Sequence, residues 1–598
     1  MLHSIWSRPA NFTTRPTLVG GFAMSASTHW LATGAAQSVL ERGGNAFDAA
    51  VAGCFVLHIA EPHLNGPGGD LVGLVSLRGE RPLVLSGQGP APAGATIDHF
   101  LEQGLDAVPG AGGLAAAVPG AVPALLKLLR DLGTWEFSDV VAYAIDYAYR
   151  GVPVSERWAG VVRTVGGLFR EHWPTSAAIW MPAGRAPSVG EPFRNPVWGS
   201  ALERLVAASQ RGATREARID AVLGEWRDGF VAEATVEFLG RPHRHSDGGD
   251  HAGVLTRDDL RAFDATWEDA VSYRFRGVDV FKPAAWGSGP VLLQALAILA
   301  EFPDADLDPS TARGAHLMIE ALKLAFADRE AYYGEHARAL LTDVLLSDGY
   351  ARERAALIAA AADGSWRPGH IDGLEPFIPP LHAHSSEGYA GVGEPTVKAT
   401  GDTRGDTCHL DVVDDEGNFV SITPSGGWLQ SSPAIPDLGF AMGTRLQMTW
   451  LDPSAPAALN PGHRPRTTLS PTMIAIEGRV CEALGTPGGD QQDQWQLPYI
   501  LRRVIGQYSP QEAIDAPNLH TTHAPSSFWP RVWEPKGVIA EDRLGVAVIA
   551  DLRARGHEVT VVGGWTLGRL SAVGRDPRTG ALTAAANPRG ALGYAAGR

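Results

Sequence analysis

Cysteine is scarce in this chain: Cys54, Cys408 and Cys481 are the only three in 598 residues. An odd, unpaired set excludes a disulfide framework. Cys54 lies in an apolar helical run and Cys481 in an apolar strand, so both read as small buried hydrophobes. No run of about 18 apolar residues occurs, which leaves no candidate for a membrane-crossing helix. The first residues, Met1-Leu2-His3-Ser4-Ile5-Trp6-Ser7-Arg8, lack the apolar core of a signal peptide, and a cytoplasmic location is expected. Positive charge is short as well, with 50 basic against 66 acidic residues and a net charge of −16. Nucleic acid and anionic membranes both require a basic footprint, so neither is expected as a partner. A phosphate-binding loop, a His-Glu-x-x-His motif and a Gly-x-Ser-x-Gly elbow are missing too, and no internal repeat is visible. His243, His245, Asp247, Asp250 and His251 are metal-ligand types at short range. Their segment also holds Arg241-Pro242 and Gly248-Gly249 and reads as a solvated loop. No metal and no cofactor is expected; the expected partner is a small-molecule substrate.

What is present is length and an ordinary globular composition, 44% apolar and 19% charged. At 598 residues the chain exceeds the roughly 250–300 residues that one core supports, so two or more cores are expected. Residues 29–42 carry a helical apolar period (Leu31, Ala35, Val39) that stops at Gly43-Gly44. Asn45 is placed to cap a second helix bearing Val51, Phe55 and Val56. Further helices are predicted at 121–131, 138–149, 290–301 and 311–330. Residues 363–406 are rich in Gly, Pro, His and Ser, the composition of a loop that moves aside after a cut. Beyond residue 407 the texture turns to strands: 407–423, 473–476 with 480–484, and 570–573 paired across 576–580, with helices at 491–506 and 542–555. Strands mixed with helical layers imply α/β sandwich packing.

One segment carries chemistry. Asp406-Thr407-Cys408-His409 precedes the hairpin pattern Leu410-Asp411-Val412-Val413-Asp414, a turn at 415–418, and Phe419-Val420-Ser421-Ile422-Thr423. A threonine hydroxyl needs a nearby base to become a nucleophile, and one solution is the threonine's own α-amino group, freed by cutting the bond before it. A threonine at the mouth of a strand, after a polar loop, is where such a cut would leave a new N-terminus. Thr403, in Gly401-Asp402-Thr403, lies further inside the loop with no strand directly after it. Gly488 and Gly489 follow the strand at 480–485 and precede a helix, so their backbone N–H groups can approach a ligand and build an oxyanion hole.

The chain resembles the gamma-glutamyltransferase family of N-terminal-nucleophile hydrolases along nearly its whole length. The matching segments run in order: Gly43-Gly44-Asn45-Ala46-Phe47-Asp48-Ala49-Ala50-Val51, Gly66-Pro67-Gly68-Gly69, Ala117-Val118-Pro119-Gly120, Phe326-Ala327-Asp328-Arg329, Arg464-Pro465-Arg466-Thr467-Thr468-Leu469-Ser470-Pro471-Thr472 and Gly485-Thr486-Pro487-Gly488-Gly489. The resemblance implies a four-layer αββα sandwich built from a large and a small chain of one precursor. The cut falls between Asp406 and Thr407, giving chain 1–406, mostly helical and ending in the linker, and strand-rich chain 407–598. The two would associate as a heterodimer, or as a dimer of these. The resemblance also implies Thr407 as nucleophile, Ser425 eighteen positions on as its hydroxyl partner with Thr423 beside it, and Gly488 and Gly489 as the oxyanion amides. Thr467 and Thr468 match a hydroxyl pair that touches the substrate α-carboxylate in the transferases.

The departures from the family are equally specific. Gln88 stands where an arginine would hold the glutamyl α-carboxylate. Arg445 and Met448 stand where acidic or amide residues would hold the α-amino group, and Gly427 lies where an asparagine is expected. Each such contact is worth roughly 1.5–3 kcal/mol, so losing two or three removes gamma-glutamyl recognition. Arg445 reads as repurposed for a carboxylate or carbonyl of another acyl group. Seventeen tryptophans, Trp428 and Trp450 among them, suggest an apolar or aromatic ligand. The leading expectation is an autoprocessed acylase of a non-glutamyl amide. The alternatives are a carbon–carbon bond hydrolase of specialised-metabolite (antibiotic) biosynthesis using the same threonine, a true gamma-glutamyl hydrolase or transferase, and an uncleaved non-catalytic homologue.

Overall fold

A strand of alternating side chains has two faces to bury, and here both are covered. The computed structural model describes Trp6 and residues 12–335, 339–383 and 407–598. Two seven-stranded sheets dominate it, antiparallel throughout. The first runs Tyr594–Gly597, Ala23–Ser27, Leu410–Asp414, Phe419–Ser425, Asp70–Ser76, Leu83–Gly87, Thr266–Asp269. The second runs Leu18–Gly20, Leu582–Ala586, Ser571–Arg575, Arg479–Gly485, Thr472–Ile476, Val278–Lys282, Val271–Phe275.

The pleat sorts the side chains. Leu410, Val412, Val420 and Ile422 pack outward against helices Trp30–Glu41, Ala46–Ala60 and Ala121–Leu132. Val413 and Phe419 point inward with Met24, Val72 and Leu74, and meet Met473, Ala483 and Val573 of the second sheet. The second sheet's outer face, with Ile474, Leu484 and Ala572, is covered by Pro290–Ala300, Ala312–Tyr332 and Gln491–Val504. This mixed α/β architecture is consistent with an αββα sandwich. No helix among the described residues is long and apolar enough to cross a membrane.

Most predicted elements appear within a residue or two. Asn45 caps Ala46–Ala60 as expected: its side chain accepts from the Asp48 amide, and the Asp48 carboxylate accepts from the Asn45 amide. Some differ. The helix predicted at 542–555 is broken into a 3-10 turn, Asp542–Leu544, and Val546–Ala554, because Gly545 takes φ 90° between them. Thr407 does not open a strand; it makes a single bridge to Ser425, and the strand begins at Leu410. Cys481 is only partly buried. The predicted linker is described up to residue 383, where it holds turns and the short strand His382–Ala383; residues 384–406, with Thr403 and Asp406, lie outside the described residues.

Candidate active site

Directly opposed residues of an antiparallel pair put their side chains on the same face. Thr407 is bridged to Ser425, and Ser425 is registered with Asp70. Gln88 follows Gly87, which pairs with Leu71, so it extends the row opposite Asp70. One polar row, Thr407–Ser425–Asp70–Gln88, thus crosses the mouth of the first sheet on its inner face. The Thr407 and Ser425 hydroxyl oxygens are 3.2 Å apart, and each residue is 1% exposed. The structure thus brings these two residues together. A β-carbon on Gly69 would lie 2.1 Å from the Ser425 carbonyl oxygen, so Gly66-Pro67-Gly68-Gly69 serves a close backbone approach under Ser425.

Cys408 faces the other way. Its thiol lies 3.2 Å from a Glu61 carboxylate oxygen, on the helical side of the sheet. Burial, with the Glu61 charge beside it, pushes the thiol well above the ordinary cysteine range, which disfavours the thiolate. Thr423 is the next inner-face hydroxyl after Ser425 and lies 2.9 Å from His409 Nδ1.

Gly488 and Gly489 sit where expected, after the strand Arg479–Gly485 and before the helix Gln491–Val504. Gly488 has φ 116°, and a β-carbon on Gly489 would come within 2.3 Å of the Phe528 ring. Asp490, next in sequence, is clamped from behind. Arg329 binds its carboxylate, and the Ser527 amide and hydroxyl donate to it at 2.7 Å each. The matched motif ending in Arg329 therefore anchors the turn that carries these glycines.

The substrate-side residues are placed differently from one another. Arg445 does not offer a free fork: its Nε and Nη2 bind the two Asp70 oxygens, Nη2 to Oδ1 at 2.7 Å, and its side chain is 4% exposed. Burial pushes the Asp70 carboxyl up, while Arg445 and, less strongly, Gln88 pull it down. Trp428, Met448 and Phe528 form a small apolar cluster beside this pair, with the Arg445 guanidinium 6.0 Å from the Trp428 ring. Trp450 turns away to Phe377 and Arg531. Thr467 is bridged to Gly287 and accepts from the Leu469 amide. The Thr468 hydroxyl is buried without a hydrogen bond among the described residues.

Residue order alone assigned no role to Asp70, His409 and Asp411, which the fold places in or beside the Thr407 row. Asp70 directly follows Gly69, and a period of two from Thr407 marks His409 and Asp411. In the 243–251 segment His243 is half-buried, but the other two histidines are not solvated. His245 is buried and accepts from the Leu114 amide, and His251 bonds Asp247 and Gln103. Their partners are protein groups. Among the described residues, His316, Glu320 and His557 also converge, but Lys323 and Arg367 hold the Glu320 carboxylate and the two imidazoles bond each other at 2.9 Å.

Two facing sheets with a threonine at the mouth of one define a hydrolase of the N-terminal-threonine class, made as a proenzyme that processes itself into a large and a small chain. The chain belongs to the gamma-glutamyltranspeptidase family, whose model matches residues 32–597. It is 29% identical to the glutathione hydrolase-like YwrD proenzyme of Bacillus subtilis, over 96% of this chain and 98% of that one. A solved structure of LmbA2991HD is 50% identical with a TM-score of 0.92, covering 98% of this chain and 100% of its own. The cephalosporin acylase from Bacillus halodurans is 27% identical with a TM-score of 0.81, over 100% and 99% respectively.

Proposed function

We propose that Thr407 carries the acyl group and that this group is not glutamyl. In maturation the Thr407 hydroxyl attacks the Asp406 carbonyl, the peptide nitrogen takes the proton as its bond breaks, and water hydrolyses the ester. The freed amine of the 407–598 chain then acts as base for the same hydroxyl. Ser425 orients that hydroxyl, Thr423 supports the row, and the Gly488 and Gly489 amides receive the oxyanion. The observation that carries the reading is the row Thr407–Ser425–Asp70–Gln88 with Arg445 closed onto Asp70. A glutamyl α-amino group would find no free carboxylate there, and its α-carboxylate would meet an amide at Gln88.

Formation of such an acyl-enzyme can expel an amine or a stabilised carbon leaving group. The amide reading ranked first on sequence. What supports the carbon–carbon alternative over it is the likeness to LmbA2991HD, 50% identical, against 27% for the cephalosporin acylase. The wall of Trp428, Met448 and Phe528 fits a conjugated, uncharged leaving group. In that reaction Thr407 adds to a carbonyl, the adjacent C–C bond breaks, its electron pair leaves as an enol or enamine that gains a proton, and water releases the acid.

The test starts on a denaturing gel. The wild-type chain is expected as two bands with a new N-terminus at Thr407, Thr407→Ala as one full-length band, and Cys408→Ala as two bands. The processed protein is then offered gamma-glutamyl-p-nitroanilide, an aryl N-acyl amide and an aryl 1,3-diketone in ¹⁸O-water. The diketone is expected to yield labelled acid fastest. Gamma-glutamyl turnover at about 10⁴ M⁻¹s⁻¹ or above would overturn the substrate class, and faster amide cleavage would restore the acylase reading.

A further inference from the structure

The inner face of the nucleophile hairpin should be apolar, since it looks into the space between two sheets. Beyond Val413 and Phe419 it is not. Rows of opposed residues, His409 with Thr423 and Asp411 with Ser421, run inward from Thr407 and Ser425. His409, Asp411, Thr423 and Ser421 are all fully buried. His409 Nε2 lies 2.9 Å from Asp411 Oδ1, and its Nδ1 lies 2.9 Å from the Thr423 hydroxyl. Asp411 also accepts from Ser421 at 2.7 Å and, on its other oxygen, from Ser571 of the second sheet at 2.7 Å. The Leu484 carbonyl oxygen lies 3.1 Å from the same Ser421 hydroxyl, whose single proton goes to the nearer Asp411 oxygen. The imidazole fills a slot at Gly485, where a β-carbon would lie 2.2 Å from its Cε1. Gly485 ends the strand that leads into Gly488 and Gly489.

Asp411 accepts from two other hydroxyls and is best served by a third donor, so Nε2 carries the proton. Nδ1 is then an acceptor, and the Thr423 hydroxyl donates to it. We propose that His409, held by Asp411, is a positioning residue for maturation. It fixes the Thr423 hydroxyl two residues from Ser425, and it seats the nucleophile strand on the strand that carries the oxyanion turn. This rests on the reading of Thr407 as the nucleophile. Histidine is suited to the task because one ring spans two opposite partners, a carboxylate inward and a hydroxyl outward, at the depth where a slot opens at Gly485.

Self-cleavage tests this without a substrate. The full chain is made by pulsed cell-free synthesis, and its conversion to two bands is timed. Thr423→Val keeps the volume and removes the hydroxyl; Thr423→Ser keeps the hydroxyl. His409→Gln keeps a donor for Asp411 and loses the acceptor for Thr423. Asp411→Asn keeps the shape and removes the carboxylate that fixes the tautomer. We expect His409→Gln, Asp411→Asn and Thr423→Val to slow cleavage roughly 10- to 100-fold, matching the cost of leaving one buried hydrogen-bonding partner unsatisfied, with circular dichroism unchanged. Thr423→Ser should stay within about threefold of wild type. Equal rates in Thr423→Val and Thr423→Ser would overturn the proposal, as would wild-type rates in His409→Gln. If His409→Gln does not fold, the Thr423 pair and Asp411→Asn decide. A wild-type chain that does not cleave, or a Thr407→Ala chain that does, would instead overturn the nucleophile assignment.

Discussion

Arg445 and Asp70 show how one residue's role depends on where its partner lies. From sequence, an arginine at a ligand position reads as a hook for a carboxylate. In the fold its planar fork is matched by a carboxylate of the protein. Replacing one member of a buried pair leaves the other charged and alone, at a cost of about 3–5 kcal/mol. Arg445→Met is therefore expected to lower the Tm sharply at neutral pH. Burial already raises the Asp70 carboxyl, with Arg445 opposing it, so removing Arg445 raises it further. A carboxyl with a raised folded pKa binds its proton more tightly folded than unfolded. Its contribution to stability is present below the unfolded aspartate value and lost as pH climbs through the folded one. The deficit of Arg445→Met against wild type should therefore shrink as pH is lowered from 7 toward about 5, measured by thermal unfolding at both. A deficit that does not change with pH would show that Asp70 is not left as a buried charge.

The hairpin is the element that turns these residues into a site. Its strands, Leu410–Asp414 and Phe419–Ser425, are paired on both sides, by Ala23–Ser27 and by Asp70–Ser76. A one-residue slip would send Thr407, His409 and Asp411 to the helical side and Cys408 to the inner side. Gly69 guards the register at the mouth. A β-carbon there meets the Ser425 carbonyl oxygen at 2.1 Å and the Gly426 carbonyl oxygen at 2.5 Å, and no side-chain rotation relieves a clash with backbone. Gly69→Ala, which removes no functional group, is expected to slow self-cleavage by about 100-fold or more, since a 1 Å misplacement of reacting groups costs about that much. Band conversion over time checks it; an unchanged rate would mean that the Thr407–Ser425 contact tolerates the shift.

At the scale of the molecule, the residues before and after position 407 are not two bodies. The first sheet takes four strands from before residue 407 and three from after it, and the second takes three and four. Between the sheets lies one shared apolar core. Charges cross the same boundary: Arg329 and Glu330 bind Asp490 and Arg466 in a buried cluster. Cutting one loop bond leaves every one of these contacts in place. The processed chains are expected to stay together through size-exclusion chromatography at nanomolar concentration and to separate only in denaturant. Elution of a free small chain under native conditions would contradict the interleaved packing.

Local pattern carried much of this. The Gly43-Gly44-Asn45 stop and cap, the strand alternation after Thr407, and the Gly488-Gly489 turn before a helix depend on chain-local chemistry, so they were readable from residue order alone. Sidedness also follows from it, because a period of two already separates Thr407, His409 and Asp411 from Cys408. Partnership does not. Asp70 and Arg445 lie 375 positions apart, and Arg329 and Asp490 lie 161 apart. No local rule says which carboxylate meets which guanidinium across such distances. The same limit hid the placement of His409, whose slot exists only because Gly485 of the other sheet stands over it. Residue order set the chemistry available at the mouth of the hairpin. Packing of one sheet on the other decided which groups face the nucleophile and which are spent on one another.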